Sequence, residues 1–330
     1  MYTADPSRYG GMTYSHCGKS GLMLPAVSLG LWHNFGDTGD YGNMKQMCFT
    51  AFDHGITHFD LANNYGPPNG AAERNFGRIL REEMHAHRDE MLISTKAGYL
   101  MWDGPYGNWG SRKYLLASLD QSLERLGLDY VDIFYHHRLD PDTPLEETMM
   151  ALDTAVRSGR ALYAGISRYD PETLRRAAAI LTELRCPFVI HQCRYSLLDR
   201  SIETNGVKSL TRELGLGMIT FSPLAQGLLT DRYRNGIPAD CRIHTDGRFL
   251  KEKDITPEKL ALLDALRKIA EQRGQTLAQM ALSWILRDGD VTSVLIGASR
   301  PSQILEDLSC IGAAPFTAEE QAAIDALTLG

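Results

Sequence analysis

Ser111-Arg-Lys-Tyr-Leu-Leu-Ala-Ser-Leu-Asp-Gln-Ser-Leu-Glu-Arg-Leu126-Gly127-Leu-Asp-Tyr-Val131-Asp-Ile-Phe-Tyr-His136 holds one full period of the pattern that decides the fold. Ser111 suits a helix N-cap, because its hydroxyl can accept from a backbone N–H of the first turn. Gly127 stands where the helix should stop, since glycine enters the left-handed conformation of a C-terminal cap without steric cost. The apolar run Val131–His136 then predicts a buried strand. Outward on both sides the unit repeats. Strands are expected at Val27–Gly30, Thr57–Asp60, Leu92–Lys96, Val131–His136, Leu162–Ile166, Phe188–Gln192, Met218–Phe221 and Ser293–Ile296. Helices are expected at Asn43–His54, Ala72–Ala86, Ser111–Leu126, Leu145–Ser158, Pro171–Leu184, Pro257–Arg273, Thr276–Arg287 and Pro301–Leu308. Strands alternating with helices imply parallel βα units, and eight of them close a barrel. The fold class expected is therefore α/β, a (β/α)8 TIM barrel forming one domain over residues 1–330.

Three features lie outside the repeat. Met12–Cys17 and Gly21–Pro25 flank Gly18-Lys-Ser-Gly21 and read as a β-hairpin able to plug the lower end of the barrel. Gly227–Ile255, rich in Arg, Asp and Gly, is long enough to be a functional loop after the seventh strand. Six cysteines with no C-x-x-C pair argue for reduced thiols rather than a disulfide framework or a zinc knuckle. A net charge of −7 argues against a general nucleic-acid binder. No apolar stretch spans a bilayer and no secretory leader opens the chain, so a cytoplasmic protein with no membrane partner is expected. Oligomeric state is not legible; a homo-oligomer is compatible with the sequence.

Chemistry in a barrel of this kind gathers at the C-terminal ends of the strands. Asp60 ends the second strand, Tyr65 lies in the loop behind it, Lys96 ends the third and His137 follows the fourth. An isolated Lys after Leu92-Ile-Ser-Thr95 needs a counter-ion, and Asp60 is on the neighbouring strand. The group suits proton transfer to a carbonyl oxygen that receives a hydride: Tyr65 as acid, its pKa lowered by Lys96, His137 as hydrogen-bond donor, Asp60 fixing Lys96. Taken singly, each residue has a structural explanation. Their conjunction on successive strand ends is what points to a catalytic site.

Asp60-Leu-Ala-Asn-Asn-Tyr65-Gly66, Ser94-Thr-Lys96, Leu126-Gly-Leu-Asp-Tyr-Val-Asp-Ile133 and Gly165-Ile-Ser167 resemble the aldo-keto reductases over essentially the whole chain. Within that superfamily, Gly30-Leu-Trp-His-Asn-Phe-Gly36, His58–Pro68, Gly110–Asp120 and Ser293–Ser299 are similar to the bacterial L-glyceraldehyde 3-phosphate reductases and, more distantly, to the potassium-channel β subunits. The resemblance implies a tetrad of Asp60, Tyr65, Lys96 and His137 and the cofactor pair NADPH/NADP+. It implies that Ser167 and Gln192 hydrogen-bond the nicotinamide amide, with Phe221 stacked on the ring, and that Arg168, where many of the family carry Asn, is a further cofactor contact in keeping with the channel-subunit branch. Ser222, Pro223, Leu224 and Gln226 would lie along the pyrophosphate, with Arg232 and Arg242 as cationic contacts. Gly297, Ser299 and Gln303 would receive the 2′-phosphate, with Arg300 the one adjacent cation, and Glu306 and Asp307 the adenine. Asp307 stands where the family usually has Asn, and His136 where it has a small or apolar residue. Trp32, by the same resemblance, borders cofactor and substrate.

A small aldehyde is the implied substrate, held by Trp32, Tyr65, Trp102 and His137, with Tyr106 and Trp109 as further aromatic loop residues. Arg138 or Lys113 are candidates for a substrate phosphate. Two rival readings differ in class. A metal-dependent hydrolase would use His58, Asp60, His136 or His137, His191 and Lys96 as ligands, but lacks the H-x-H pair on the first strand and leaves Phe221 unexplained. A non-catalytic NADPH-sensing subunit is compatible with the channel-subunit likeness, although those subunits commonly carry Asn at the position of His137.

Overall fold

Eight parallel strands close on themselves in the computed structural model, which describes residues 2–234, 237 and 250–329. After the antiparallel pair β1 (Tyr14–His16) and β2 (Met23–Pro25), the barrel strands are β3 (Val27–Gly30), β4 (His58–Asp60), β5 (Leu92–Ala97), β6 (Val131–His136), β7 (Ala161–Ser167), β8 (Phe188–Arg194), β9 (Gly217–Phe221) and β10 (Ser293–Ile296). They pair in chain order, and β10 returns to β3 with Val294 opposite Val27. Each expected strand is present, three with the expected bounds and the others with ends shifted by one or two residues.

Because side chains alternate along a strand, one set fills the barrel and the other packs under the helices. Ile133, Tyr135, Ile190, Ile219 and Leu295 form the inner set. Leu29, Phe59, Ile93, Phe134 and Val294 join the outer core under the helices. Tyr135 fills the barrel at Gly165: a Cβ there would meet the tyrosine ring at 2.5 Å, so the large residue on β6 requires the absent one on β7. Cys17, Leu22 and Leu24 pack onto the same inner set, and Lys19 N donates to Gly215 O at 2.8 Å, just before β9 begins. The hairpin thus plugs the end opposite the catalytic face.

The helix Arg112–Leu126 shows how local signals become packing. Ser111 Oγ accepts from Tyr114 N, Gly127 takes φ +67°, and Tyr114, Leu115, Ser118, Leu119, Ser122, Leu123 and Leu126 form its buried stripe. Such a cap is worth about 1 kcal/mol.

Other expectations need correction. The helix expected over Ala72–Ala86 is α-helical only over Ala71–Ile79, then widens to a π-turn at Leu80–Met84 and tightens to a 3-10 turn at His85–Glu90. Between β8 and β9 the connection is made by the short helices Ser201–Thr204 and Val207–Glu213, which the sequence reading left out. A further helix, Ala318–Thr328, begins with a capping box between Thr317 and Glu320. Among the described residues no helix is long and apolar enough to cross a membrane.

Candidate active site

Lys96, wholly buried at the end of β5, is the centre of the site. Its ammonium has three protons and three acceptors: Asp60 Oδ2 at 2.5 Å, the Leu61 carbonyl at 2.7 Å and Tyr65 Oη at 3.3 Å. Asp60, on the adjoining strand and also buried, accepts in addition from Ser94 Oγ at 2.7 Å and Gln192 Nε2 at 3.2 Å. Taking both ions out of water is costly, and what offsets that cost is their mutual attraction together with donors on the carboxylate's other oxygen. His137 turns its ring edge-on to Tyr65 with centroids 5.9 Å apart. The tetrad expected from the sequence is therefore assembled in space.

Tyr65 is partly exposed, unlike its three partners. Its loop is held from both sides: Tyr65 N donates to Ala62 O, and Ala72 N donates to Tyr65 O. Gly36 permits the neighbouring loop to close against it, since a Cβ there would lie 2.4 Å from Pro67 O. Trp32 packs near the phenol with ring centroids 6.0 Å apart.

The electrostatics correct one expectation. Desolvation, with Asp60 and Tyr99 adding to it, pushes the Tyr65 phenol well above its ordinary value, while Arg168 pulls the other way. Lys96, hydrogen-bonded to the phenol, does not reverse that net rise; burial pulls the Lys96 ammonium down, while Asp60 opposes that pull. Tyr65 thus holds its proton firmly. His137 is pushed well below its usual range by burial and by the positive charges of Lys96 and Arg168, so its ring is neutral at pH 7. A neutral imidazole keeps one N–H to donate.

Beneath the tetrad runs a buried polar chain that the sequence reading missed. Ser293 Oγ meets Ser28 Oγ at 2.6 Å, Ser28 Oγ meets His58 Nδ1 at 2.9 Å, and His58 Nε2 meets Ser94 Oγ at 3.0 Å. Since a carboxylate only accepts, Ser94 must give its proton to Asp60 and accept from His58 Nε2–H. Burial holds His58 neutral, its pKa down to about 4, so Nδ1 accepts from Ser28, which in turn accepts from Ser293. Every donor in the chain is aimed toward Asp60. Strand alternation carried the signal: Ser94 lies two residues before Lys96, and His58 two before Asp60, on the same face.

Residues expected to hold the cofactor occupy the catalytic face. Ser167, at the end of β7, is fully buried with its Oγ unpartnered, and Gln192 lies at the matching level of β8. Gln192 spends an N–H on Asp60, which leaves its carbonyl oxygen as an acceptor beside a hydroxyl able to donate. That pair fits a carboxamide. Arg168 adopts φ +63° and is exposed, with its guanidinium 5.6 Å from the centre of the Phe221 ring. Ser222, Ala225 and Gln226 also have positive φ, and Pro223 and Leu224 complete the tight turn. Backbone folded this way suits an anion. Gln303 Oε1 accepts from both Ser299 N and Ser299 Oγ, tying the start of the helix Pro301–Leu308 to the loop that carries Gly297. Asp307 is buried, its carboxyl raised to about 7 by burial and by Glu306. Arg232 sits on the turn Asp231–Tyr233, and Arg242 lies outside the described residues.

The aromatic loop residues do not all converge. Trp102 packs on Tyr114, centroids 5.2 Å apart, while Tyr106 is exposed and stacks under Lys113. The ring found beside His137 is instead Tyr99, edge-on at 4.7 Å. No periodic pattern marks it in the sequence. The other two histidines considered as metal ligands are engaged elsewhere: His136 with Tyr169 Oη at 2.6 Å, and His191 Nε2 as acceptor from Tyr169 N at 3.2 Å. Among the described residues no group of three or more His, Cys, Asp or Glu is placed to hold a metal ion.

A family model described as the Aldo/keto reductase family matches residues 26–328. Over 328 residues the chain is 56% identical to the L-glyceraldehyde 3-phosphate reductase of Escherichia coli (strain K12), covering 98% of this chain and 95% of that protein. It is 36% identical over 312 residues to a probable voltage-gated potassium channel subunit beta of Arabidopsis thaliana, covering 92% of this chain and 93% of that one. A match from the first barrel strand to the last helix, on a closed eight-stranded barrel, shows that the chain is an oxidoreductase belonging to the aldo/keto reductase family.

Proposed function

We propose that the protein reduces small aldehydes to primary alcohols with NADPH, L-glyceraldehyde 3-phosphate foremost and related aldehydes such as methylglyoxal among them, with Tyr65 as proton donor. The observation that carries the reading is the Lys96 ammonium shared between Asp60 and the Tyr65 hydroxyl. NADPH, when bound, supplies the hydride that adds to the carbonyl carbon. Everything else falls to this chain. Ser167 Oγ and Gln192 Oε1 offer the donor and acceptor that a carboxamide needs, Phe221 offers a ring to stack on, and both anchor the cofactor's reactive end. Ser299, whose N–H and O–H now donate to Gln303 and would turn to the ligand, and the following helix start offer a place for the 2′-phosphate, which is the ground for naming NADPH.

As negative charge grows on the carbonyl oxygen, neutral His137 donates a hydrogen bond and Tyr65 transfers its proton. A phenol whose pKa is raised is fully loaded for that transfer at pH 7. The Lys96 ammonium, already donating to that hydroxyl at 3.3 Å, holds the developing phenolate more strongly than the neutral phenol, so its stabilisation grows as the proton moves. Burial strengthens the interaction by excluding water.

Following NADPH absorbance with L-glyceraldehyde 3-phosphate, methylglyoxal and 4-nitrobenzaldehyde tests the reading. Oxidation of NADPH with formation of the alcohol is expected. Tight NADPH binding without turnover of any aldehyde would refute it and favour a cofactor-sensing subunit.

A further inference from the structure

Among the described residues three positive groups stand near the catalytic mouth, Lys96, Arg138 and Arg168, and of these Lys96 alone pairs with a carboxylate. Lys96 is balanced by Asp60. Arg138, which follows His137 directly, is half-buried between two rings, its guanidinium 3.7 Å from the centre of Trp109 and 4.2 Å from that of Tyr99. Its Nε donates to Gly98 O at 2.8 Å and its Nη2 to Asn108 Oδ1 at 3.0 Å, so its hydrogen-bond partners are neutral. Arg168 gives Nη1 to Tyr99 Oη at 2.8 Å. Among the described residues neither arginine forms an ion pair.

Arg138 is half-buried and Arg168 exposed, so neither charge is forced to pair within the protein, and both remain open to an anion from outside. Two like charges are held on opposite parts of one tyrosine, one against its ring and one on its hydroxyl, and that tyrosine touches His137. Arg168 reaches its position through a left-handed backbone that a non-glycine residue adopts at a cost. A guanidinium has five N–H donors, and the bonds above engage two on Arg138 and one on Arg168. Donors in a fixed fork match the oxygens of a phosphate. Aromatic faces hold Arg138 in place before any ligand arrives, which lowers the ordering cost of binding.

We propose that Arg138, with Tyr99 and Arg168, forms the recognition site for the anionic end of the aldehyde substrate, a phosphate monoester, while the carbonyl lies at Tyr65 and His137. The inference rests on the aldehyde-reductase reading above and extends it to specificity. Arg138 is the discriminating residue, because Arg168 also faces Phe221 and so the cofactor.

The test compares glyceraldehyde 3-phosphate with glyceraldehyde, which share a carbonyl and differ in the phosphate. Arg138→Met should raise KM for the phosphorylated aldehyde at least about tenfold more than for the other, the loss expected of one charge-assisted contact. Arg138→Lys, which keeps the charge and loses the fork, should recover part of that difference, and guards against a folding defect in the Met variant. Calorimetry with inorganic phosphate on the protein saturated with NADP+, which fills the cofactor's own phosphate places, gives a readout independent of turnover: binding to the wild type, weakened at least about tenfold in Arg138→Met. Equal KM effects on both aldehydes, or phosphate binding that ignores the substitution, overturns the inference. If neither aldehyde is turned over by the wild type, the reductase reading falls, and the calorimetry still decides whether Arg138 holds phosphate.

Discussion

His58→Gln probes the polar chain under the tetrad and carries a magnitude fixed by the structure. His58 is fully buried, and burial lowers its pKa from an ordinary 6.5 to about 4. Protons therefore bind the unfolded chain more readily than the folded one. Stability from the neutral imidazole is complete above pH 6.5 and is lost as pH falls toward 4. Between pH 8 and pH 5 that linkage amounts to about 2 kcal/mol from this residue alone. Glutamine keeps one donor for Ser94 and one acceptor for Ser28 but does not titrate. Urea unfolding of wild type and variant at both pH values isolates the effect. The buried neutral histidines His136, His137 and His191 contribute to both proteins and cancel in the double difference. The wild type should lose about 2 kcal/mol more than His58→Gln across that interval, at unchanged m-value. Parallel losses would show that His58 is not held neutral by burial, and the donor direction argued for Ser28, His58 and Ser94 would fall with it.

Two further substitutions address neighbouring features. Phe221→Ala should weaken NADPH binding about tenfold by removing a stacking face, read by fluorescence titration; an unchanged Kd would remove Phe221 from the cofactor site. Gly165→Ala should destabilise the barrel by about 1–3 kcal/mol, because the new methyl meets the Tyr135 ring at 2.5 Å and Ile190 at 2.9 Å. A denaturation midpoint equal to that of the wild type would contradict that packing.

The barrel was legible because its strands are buried on both faces and read as apolar runs between glycine-stopped helices, as at Gly127 before Val131. The tetrad was legible for a related reason: a lone Lys or Asp closing an apolar run must be paired or functional. Ser201–Thr204 and Val207–Glu213 were not, since four and seven residues span too few turns to establish a helical period. Ala318–Thr328 is different, for Thr317-Ala-Glu-Glu320 is a capping signature that sequence alone displays. Tyr99 and Trp102 lie in the same loop and only packing distinguishes them, one turning to His137 and the other to Tyr114. The direction of the Tyr65 shift was also beyond the sequence. Proximity of Lys96 suggested a lowered pKa, whereas burial and Asp60 together raise it.

The central claim is that the Tyr65 hydroxyl supplies the proton, and Tyr65→Phe removes that one atom while keeping the ring beside Trp32 and His137. Single-turnover NADPH oxidation with L-glyceraldehyde 3-phosphate, alongside a cofactor-binding titration, is the direct measurement. The account predicts a rate reduced at least about a hundredfold, as for loss of a positioned general acid, with NADPH affinity retained. A rate within a few-fold of the wild type would contradict it and move the proton donor elsewhere in the site.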